Sequence, residues 1–291
     1  MSPPATAPSP VRSTSWTRHS VSTVPLRTSP LRCCRAQLSV LQLRLPASAA
    51  LPTGDSAHPG NRKQQKRFWF PHNPLKRSSQ LPLDLADGWY SASFADPTLP
   101  LHIDIGSDRG HFCMGMAACQ PGTNFLGLEI RSKPVLEACL ALSHAPQPLP
   151  NCCFLHANAN CHWREITGQA AGVAIQTISL NFPDPWTKKK HHKRRVLQRE
   201  FVPQLAASLA PGGRLVVQTD VLVLAEAMRA TARACPLLQD SLTDPEDWMD
   251  CRPPPFEVLT EWEKQLVVGE GRQVFRFVML RTLETAVAPE V

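Results

Sequence analysis

Short apolar runs alternate with helical patterns from residue 101 onward, and this rhythm constrains the fold more than any other feature of the chain. The first run, Leu101–Ile105, ends at Gly106, as a buried strand followed by a turn does. The same reasoning predicts further strands over 124–128, 152–157, 173–180, 214–218, 265–268 and 274–280, and helices over 111–119, 132–142, 195–209 and 222–234. Strands that alternate with helices predict an α/β fold with a parallel, doubly wound sheet.

The first 54 residues have a composition unlike the rest of the chain. They contain six arginines and nine serines but no lysine and no acidic residue, and so carry +6 of the formal net charge of +7. A segment that is rich in arginine and serine and free of acids is typical of an organellar transit peptide. A basic tail that touches nucleic acid is the alternative. We expect residues 1–54 to be a disordered transit peptide for the chloroplast, with the mitochondrion as the alternative destination.

Residues 55–100 are rich in proline, serine and basic residues and are predicted to form a linker and an N-terminal arm. A basic cluster at 62–67 precedes three aromatic residues at 68–70. Together they can grip RNA through phosphates and stacked bases; a solvated arm whose rings dock on the domain is the alternative. The folded domain is expected over 101–283, with a tail over 284–291. No run of ~20 apolar residues occurs in the sequence, so we expect no membrane partner.

The turn after the first predicted strand has the composition of a nucleotide-type pocket. It runs from Asp104 to Gly110, and its glycines let a ligand approach the backbone because no Cβ stands in the way. Glu129 ends the second predicted strand about 20 residues later, where an acid can accept hydrogen bonds from two ribose hydroxyls. These features fit a dinucleotide or S-adenosylmethionine. The lack of a third glycine in the G-x-G-x-x-G register disfavours the dinucleotide.

A proline-rich loop and a dense basic run follow the fourth predicted strand. The loop, residues 181–186, reads Asn-Phe-Pro-Asp-Pro-Trp, and its two prolines fix the directions of Asp184 and Trp186. The last four residues of the loop, Pro-Asp-Pro-Trp, resemble the tetrads that lie beside the methyl donor in amino-group methyltransferases. Six of the eight residues over 188–195 are lysine or arginine, which favours a polyanionic substrate such as nucleic acid over a solvated helix face. Trp186 is either a core residue or a platform for a base.

With these motifs in place, the chain resembles the tRNA (guanine-N7-)-methyltransferases, in their bacterial and plastid branch. The loop 181–186, Lys188 and the run 191–195 carry most of the resemblance. The other matching motifs fall in the expected order at 104–106 with Gly110, 124–131, 158–159, 211–213, 219–220 and 260–263. The resemblance extends over residues 72–280.

The resemblance implies a fold, a donor and an acceptor. The fold is α/β, that of a class I S-adenosylmethionine-dependent methyltransferase, with a Rossmann-like seven-stranded sheet whose last strand is antiparallel. The donor is S-adenosyl-L-methionine, and the acceptor is N7 of the guanosine at position 46 in the tRNA variable loop. tRNA is the expected partner of a monomer or homodimer with no obligatory protein partner. A catalytically impaired tRNA-binding paralogue of the same fold is the alternative.

The resemblance also assigns roles to individual residues. Asp184 is the expected catalytic residue. The expected cofactor-binding residues are Asp104, Gly106, Glu129, Arg131, Asn158, Ala159 and Asp184. The expected substrate-binding residues are Lys188, Lys193, Arg194, Arg195, Asp220, Thr260, Glu261 and Glu263. No metal is expected, because the scattered histidines and cysteines lack ligand spacing.

Asp108 departs from the family pattern, which has a small residue, often glycine, at this place. Aspartate adopts left-handed backbone angles better than most residues, but it adds bulk and negative charge. We expect this departure to affect cofactor affinity more than the fold.

Overall fold

The computed structural model describes residues 71–242, Asp244, 247–248 and 256–282. The predicted transit peptide, the basic and aromatic cluster at 62–70 and the predicted tail lie outside the described residues. Within the described part, no helix has both the length and the apolar character needed to cross a membrane.

One sheet of seven strands organises the domain. The strands are β1 (Leu101–Ile105), β2 (Asn124–Glu129), β3 (Cys152–His156), β4 (Ile175–Asn181), β5 (Leu209–Thr219), β6 (Leu238–Asp240) and β7 (Phe275–Arg281). Their spatial order is β3-β2-β1-β4-β5-β7-β6. β1 to β5 pair in parallel, and β7 runs antiparallel to both β5 and β6. This topology confirms the predicted fold, including the reversed last strand.

Helices connect the strands and cover both faces of the sheet. They are α1 (Trp89–Ser93), α2 (His111–Cys119), α3 (Ser132–Ser143), α4 (Ala159–Gln169), α5 (Val202–Ser208), α6 (Leu222–Arg233) and the single turn α7 (Glu261–Glu263). Arg77–Ser79 and Lys189–Arg194 form 3₁₀ turns, and Lys264–Gly269 continues α7 as a π-helix. Two buried clusters lie on opposite faces, because alternate residues of a strand point to opposite sides: Leu215 and Val217 belong to one, and Val216 to the other.

Several predicted elements differ from the observed ones. The segment 265–268 is helical, not a strand, because Thr260 and Glu263 form a capping box that begins a helix. The second strand beside β7 is β6, which the sequence reading missed along with α4. The helix predicted from residue 195 begins only at Val202, because the basic residues before it form the 3₁₀ turn.

The core includes side chains from upstream of the predicted domain boundary at residue 101. Trp89, Tyr90 and Phe94 are buried in the larger cluster, and the rings of Tyr90 and Phe94 lie 5.1 Å apart. Aromatic side chains bury large apolar areas, so α1 is part of the packed unit.

Candidate active site

The turn between β1 and α2 has the backbone shape of a ligand-binding loop. Gly106, Asp108 and Gly110 have φ angles of 88°, 47° and 75°. The N–H of Gly106 donates to the carbonyl of Leu128, which ties the turn to β2. A side chain at Gly110 would overlap the ring of Phe154, so only glycine fits there. Asp108, the residue at which the sequence departs from the resembling family's small residue, thus adopts a left-handed conformation.

Asp104, near the carboxyl end of β1, is a buried carboxylate held by three donors. Ser179 Oγ and Asn181 Nδ2 donate to its Oδ1 at 2.7 and 2.8 Å. The Cys113 thiol lies 3.6 Å from Oδ2. Burial raises the pKa of Asp104 to about 6, although these donors act in the opposite direction. Asp104 therefore titrates close to physiological pH.

Glu129, Arg131 and Asp108 form a connected network at the end of β2. The backbone N–H and Nε of Arg131 donate to Glu129 Oε1 at 2.8 and 3.0 Å. The N–H of Asp108 donates to Glu129 Oε2 at 3.1 Å, and Arg131 Nη2 donates to Asp108 Oδ1 at 2.8 Å. Glu129 is only 4% exposed, so this network fixes its orientation. Arg131 also offsets the negative charge that Asp108 brings to the turn.

A segment upstream of α1 lies across the ends of β3 and β4; we call residues 72–81 the strap. The amide of Asn158 donates to the carbonyls of Pro74 and Ser79, both at 3.1 Å. His72 donates its backbone N–H to Asp184 Oδ2 at 3.1 Å, and its Nε2 lies 2.9 Å from Ser79 Oγ. The strap thus joins Asn158 to Asp184. Burial, followed by the charge of Lys76, lowers the pKa of His72.

The strap also bears on the predicted role of Asn158 in cofactor binding. Asn158 precedes α4, whose first residue is the buried Ala159. The side-chain N–H groups of Asn158 donate to the strap, so this side chain holds the strap in place in addition to its predicted role at the cofactor site.

The proline-rich loop carries strained backbone at both ends and packs against the basic run. Phe182 and Trp186 have φ angles of 50° and 40°, which are uncommon for aromatic residues. The guanidinium carbon of Arg194 lies 4.9 Å from the centre of the Trp186 ring, and the His191 ring lies 5.7 Å from it, edge-on. Trp186 therefore supports the basic 3₁₀ turn, and it is half-buried rather than part of the core.

The basic run has an outer and an inner set of cations. Lys188, Lys189, Lys190 and Lys193 are exposed. Arg195 donates from Nε to the carbonyl of Pro185 at 3.0 Å and is half-buried. Burial lowers the pKa of Arg195, whereas burial and the neighbouring cations lower that of His191. The lysines are therefore available to an anionic ligand, while the two arginines attach the turn to the loop that carries Asp184.

The predicted substrate residues Asp220, Thr260, Glu261 and Glu263 lie between β5 and β7 in the chain. Asp220 accepts from Arg272 at 2.8 Å, and Glu261, which is exposed, pairs with Lys264 at 2.6 Å. Their substrate contacts remain predictions.

Glu263 and Thr260 are buried, and Glu263 is the centre of a polar network. Its Oε1 accepts from Arg276 at 2.7 Å and its Oε2 from Gln218 at 3.1 Å. The N–H of Thr260 also donates to Oε2, at 2.9 Å. This network holds α7 against β5 and β7, and so positions the neighbouring exposed residues.

The structure thus brings four predicted cofactor residues, Asp104, Glu129, Asn158 and Asp184, to one edge of the sheet. Ser179 and the strap were missed by sequence reasoning. Ser179 looks like an ordinary strand residue, and nothing in the local pattern of residues 72–81 indicates which distant side chains they contact.

Two buried polar atoms at this edge have no partner in the described part of the chain: Ser107 Oγ and Asn181 Oδ1. Buried polar groups are normally hydrogen-bonded, so these two atoms are candidates for contact with a polar ligand. Asp104 and Glu129 supply negative charge at the same edge, which suits S-adenosylmethionine with its cationic groups and ribose hydroxyls. Among the residues that the structure describes, no group of three or more His, Cys, Asp or Glu side chains could hold a metal ion.

Comparisons with known proteins give the family. A family model described as "Putative methyltransferase" matches residues 98–277. The tRNA (guanine-N(7)-)-methyltransferase of Thermosynechococcus vestitus is 42% identical over 205 residues, which cover 70% of this chain and 90% of that protein. The proteins of the same name from Synechococcus sp. strain CC9311 and Prochlorococcus marinus strain MIT 9313 are 39% and 37% identical, over 72% and 74% of this chain and 86% and 88% of theirs.

Solved structures are more distant. The aminoglycoside resistance methyltransferase NpmB1 aligns with a TM-score of 0.43 and 20% identity, over 64% of this chain and 89% of that one. The assignment rests on the family model and on the cyanobacterial relatives: the chain belongs to the tRNA (guanine-N(7)-)-methyltransferase family.

Proposed function

We propose that this protein transfers a methyl group from S-adenosylmethionine to N7 of a guanosine in tRNA. One observation carries the proposal: the proline-rich loop, residues 181–186, connects the edge of the sheet where the donor is expected to the basic run, residues 188–195. Asp184 contacts the strap at that edge, and two residues later Trp186 packs against Arg194 of the basic run. A polyanion bound to the lysines would therefore lie beside Asp184, the carboxylate that we propose faces the methyl donor.

In this proposal, different residues at the sheet edge bind different parts of the donor. Glu129, buried and fixed by Arg131, is placed to accept hydrogen bonds from ribose hydroxyls. The charged methionine part of the donor would contact polar atoms of Asp104, Ser107 and Asn181. When bound, S-adenosylmethionine supplies a methyl group on a positively charged sulfur.

Little proton chemistry is needed from the protein. N7 of guanine has an in-plane lone pair and carries no proton, so no residue has to act as a base. The purine ring gains positive charge as N7 acquires the methyl group. Asp184 is placed to stabilise that charge, and its prolines and the His72 N–H hold it in a fixed direction. Alignment of the reacting atoms supplies much of the remaining rate enhancement.

We extend the proposal to a target nucleotide and a compartment. The resemblance of the loop and basic run supports guanosine 46 of the variable loop as the target. The cyanobacterial relatives and the acid-free, arginine-rich residues 1–54 support the chloroplast, with the mitochondrion as the alternative.

The test is methyl transfer to unmodified organellar tRNA, using the full chain and labelled S-adenosylmethionine. We expect label in tRNA with G46 and none in a matched transcript with A46, with chain cleavage at the methylated base mapping the site. Equal labelling of both transcripts would refute position 46. Binding of tRNA without any transfer would instead favour the impaired paralogue.

A further inference from the structure

Three polar side chains, those of His102, Ser179 and Asp104, form a hydrogen-bonded chain that we call the relay. It runs from the core to the edge of the sheet where we propose that the methyl donor binds. The Nε2 atom of His102, on β1, lies 2.8 Å from Ser179 Oγ on β4. Ser179 Oγ lies in turn 2.7 Å from Asp104 Oδ1. His102 and Asp104 are two residues apart on one strand, so both side chains project from the same face of the sheet. All three residues are at most 2% exposed.

The direction of each hydrogen bond follows from the donors available. Asp104, when ionised, only accepts, so the single hydroxyl proton of Ser179 is donated to it. Ser179 Oγ must then accept from His102, whose Nε2 therefore carries the hydrogen. Burial lowers the pKa of His102 to about 3, and Arg214 on β5 acts in the same direction, so the imidazole is neutral. Its Nδ1 is left as a buried acceptor with no partner in the described chain.

Packing alone does not account for a histidine at this place. The ring is stacked on Phe256 at 5.7 Å and lies 5.1 Å from the Phe125 ring. A phenylalanine would make similar ring contacts without burying an unpaired nitrogen, which is unfavourable in an apolar cluster. The feature that histidine adds is the Nε2–H donor to Ser179.

The two oxygens of Asp104 are used unequally. Oδ1 accepts from Ser179 and Asn181, whereas the weak Cys113 thiol, at 3.6 Å, is the one partner of Oδ2 among the residues that the structure describes. The side-chain oxygen of Asn181 is buried and has no partner among the described residues. Two acceptors thus remain at the carboxyl ends of β1 and β4, next to the glycine turn. An ammonium group, with three donors and a positive charge, matches them.

Asp104 is already one of the cofactor-binding residues that the resemblance implies. We propose that two further residues, His102 and Ser179, are positioning residues for the methyl donor: they hold Asp104 so that its Oδ2, together with Asn181 Oδ1, faces the ammonium of the methionine part. The inference rests on the proposed function, because it assumes that S-adenosylmethionine binds at this edge. His102 and Ser179 act through Asp104 and do not touch the donor themselves.

Ser179 also influences the protonation of Asp104. Ser179 and Asn181 from β4 and Cys113 from α2 face this carboxylate, and Glu129 on β2 adds negative charge nearby. Burial is the largest influence and raises the pKa of Asp104 to about 6, while the Ser179 hydroxyl is the largest influence that lowers it. Without that hydroxyl the pKa rises further. Donor affinity should then be lost at a higher pH than in the wild type, because the protonated acid cannot pair with an ammonium.

Calorimetric binding to the full-length protein over a series of pH values tests the relay. The probes are S-adenosylmethionine and methylthioadenosine, which shares the adenosine and sulfur but lacks the ammonium. We expect Ser179→Ala to weaken S-adenosylmethionine binding by about tenfold at neutral pH, as for the loss of a hydrogen bond to a charged group. The acid limb of its pH profile should move to higher pH. Methylthioadenosine affinity should stay within about twofold, since its binding does not use Asp104.

Two substitutions of His102 separate the donor from the ring. His102→Gln keeps an N–H donor but loses the stacked ring, whereas His102→Phe keeps the ring and loses the donor. The relay predicts that His102→Phe weakens S-adenosylmethionine binding at least threefold more than His102→Gln does, even if the Phe variant melts at the higher temperature. Melting curves confirm that each variant is folded at the assay temperature.

The outcomes are distinct. If Ser179→Ala weakens both probes equally, or leaves the pH profile in place, the relay is overturned while the proposed function stands. If His102→Gln is the weaker binder, the residue serves packing, and the inference again fails. If the wild-type protein binds neither probe, the proposed function fails, and this inference fails with it.

Discussion

The backbone N–H of His72 donates a hydrogen bond to Asp184 Oδ2 at 3.1 Å, although 112 positions separate the two residues in sequence. The proposed catalytic carboxylate is therefore oriented from two sides. The prolines of its own loop restrict the backbone, and the strap supplies a donor to the side chain. In the proposed function guanine approaches Asp184 next to His72, so residues 72–81 would form part of the wall of the proposed site.

Replacing Asp184 by Asn should separate turnover from binding. The amide keeps the shape of the side chain but cannot offset the positive charge that develops on guanine. We expect kcat to fall by about a hundredfold, equivalent to ~3 kcal/mol of lost electrostatic stabilisation. tRNA affinity and the melting curve should be near those of the wild type. A variant that turns over at the wild-type rate with saturating tRNA and donor would remove Asp184 from the mechanism.

Glu129→Gln should weaken binding of S-adenosylmethionine. Hydrogen bonds to a charged group contribute ~1.5–3 kcal/mol, so the dissociation constant should rise by about tenfold or more. Glu137→Gln is a matched control, because Glu137 also pairs with an arginine, Arg109, but in a partly exposed bridge of little energetic weight. Calorimetry gives both constants. Equal affinity in the two variants would mean that the donor's ribose does not bind Glu129.

Replacing Lys189, Lys190 and Lys193 together by Ala should weaken tRNA binding and flatten its salt dependence. Each lost phosphate contact should reduce the slope of log affinity against log salt by roughly 0.7–0.9. Donor affinity should not change, because these exposed side chains lie outside the sheet edge. Arg164→Ala, on the exposed side of α4, is the control and should leave the slope unaltered. An unchanged slope in the triple variant would place tRNA elsewhere on the surface.

Asp104→Asn should stabilise the protein at neutral pH while it abolishes donor binding. The pKa of Asp104 is raised by burial from its ordinary value of 3.8 to about 6, so the folded state holds this proton more tightly than the unfolded state. Stability linked to the group is complete below the unfolded value and is lost as pH rises through the folded value. At neutral pH the free energy of unfolding of the variant should therefore exceed that of the wild type by up to roughly 3 kcal/mol, and the variant should melt at a higher temperature. The difference should close toward pH ~4, and a difference independent of pH would contradict the assignment.

Asn158→Ala should release the strap. The change removes the two hydrogen bonds to Pro74 and Ser79, so amide hydrogens over 72–81 should exchange faster with solvent. Asn160→Ala is the matched control, since its amide bonds the carbonyl of Val196 instead. Hydrogen-exchange mass spectrometry distinguishes the two variants. Unchanged exchange in Asn158→Ala would show that other contacts hold the strap.

The predictable part of this structure is the part that local chemistry decides. β1 and α2 have their predicted bounds because an apolar run, a glycine turn and an apolar helix face each leave a clear local signal. The positions of Asp104 and Glu129 follow, since the ends of neighbouring parallel strands meet at one edge.

The unpredicted part depends on distant partners. The apolar run at 265–268 is too short for periodicity to separate strand from helix, and the buried Glu263, bonded to Arg276 and Gln218, decides the outcome. The strap contacts and the bond between Ser179 and Asp104 join residues that are 75 or more positions apart. No local pattern encodes such pairs.

The place of β7 in the sheet has a consequence for synthesis of the chain on the ribosome. Among the described strands β6 pairs with β7 alone, and β7 also covers the outer edge of β5. Until Phe275–Arg281 has left the exit tunnel, β5 therefore presents an open row of backbone donors and acceptors, which is a template for association with other chains. A message truncated ahead of this strand would yield a sticky nascent polypeptide, and the quality-control machinery would meet it as such, not as a shortened enzyme.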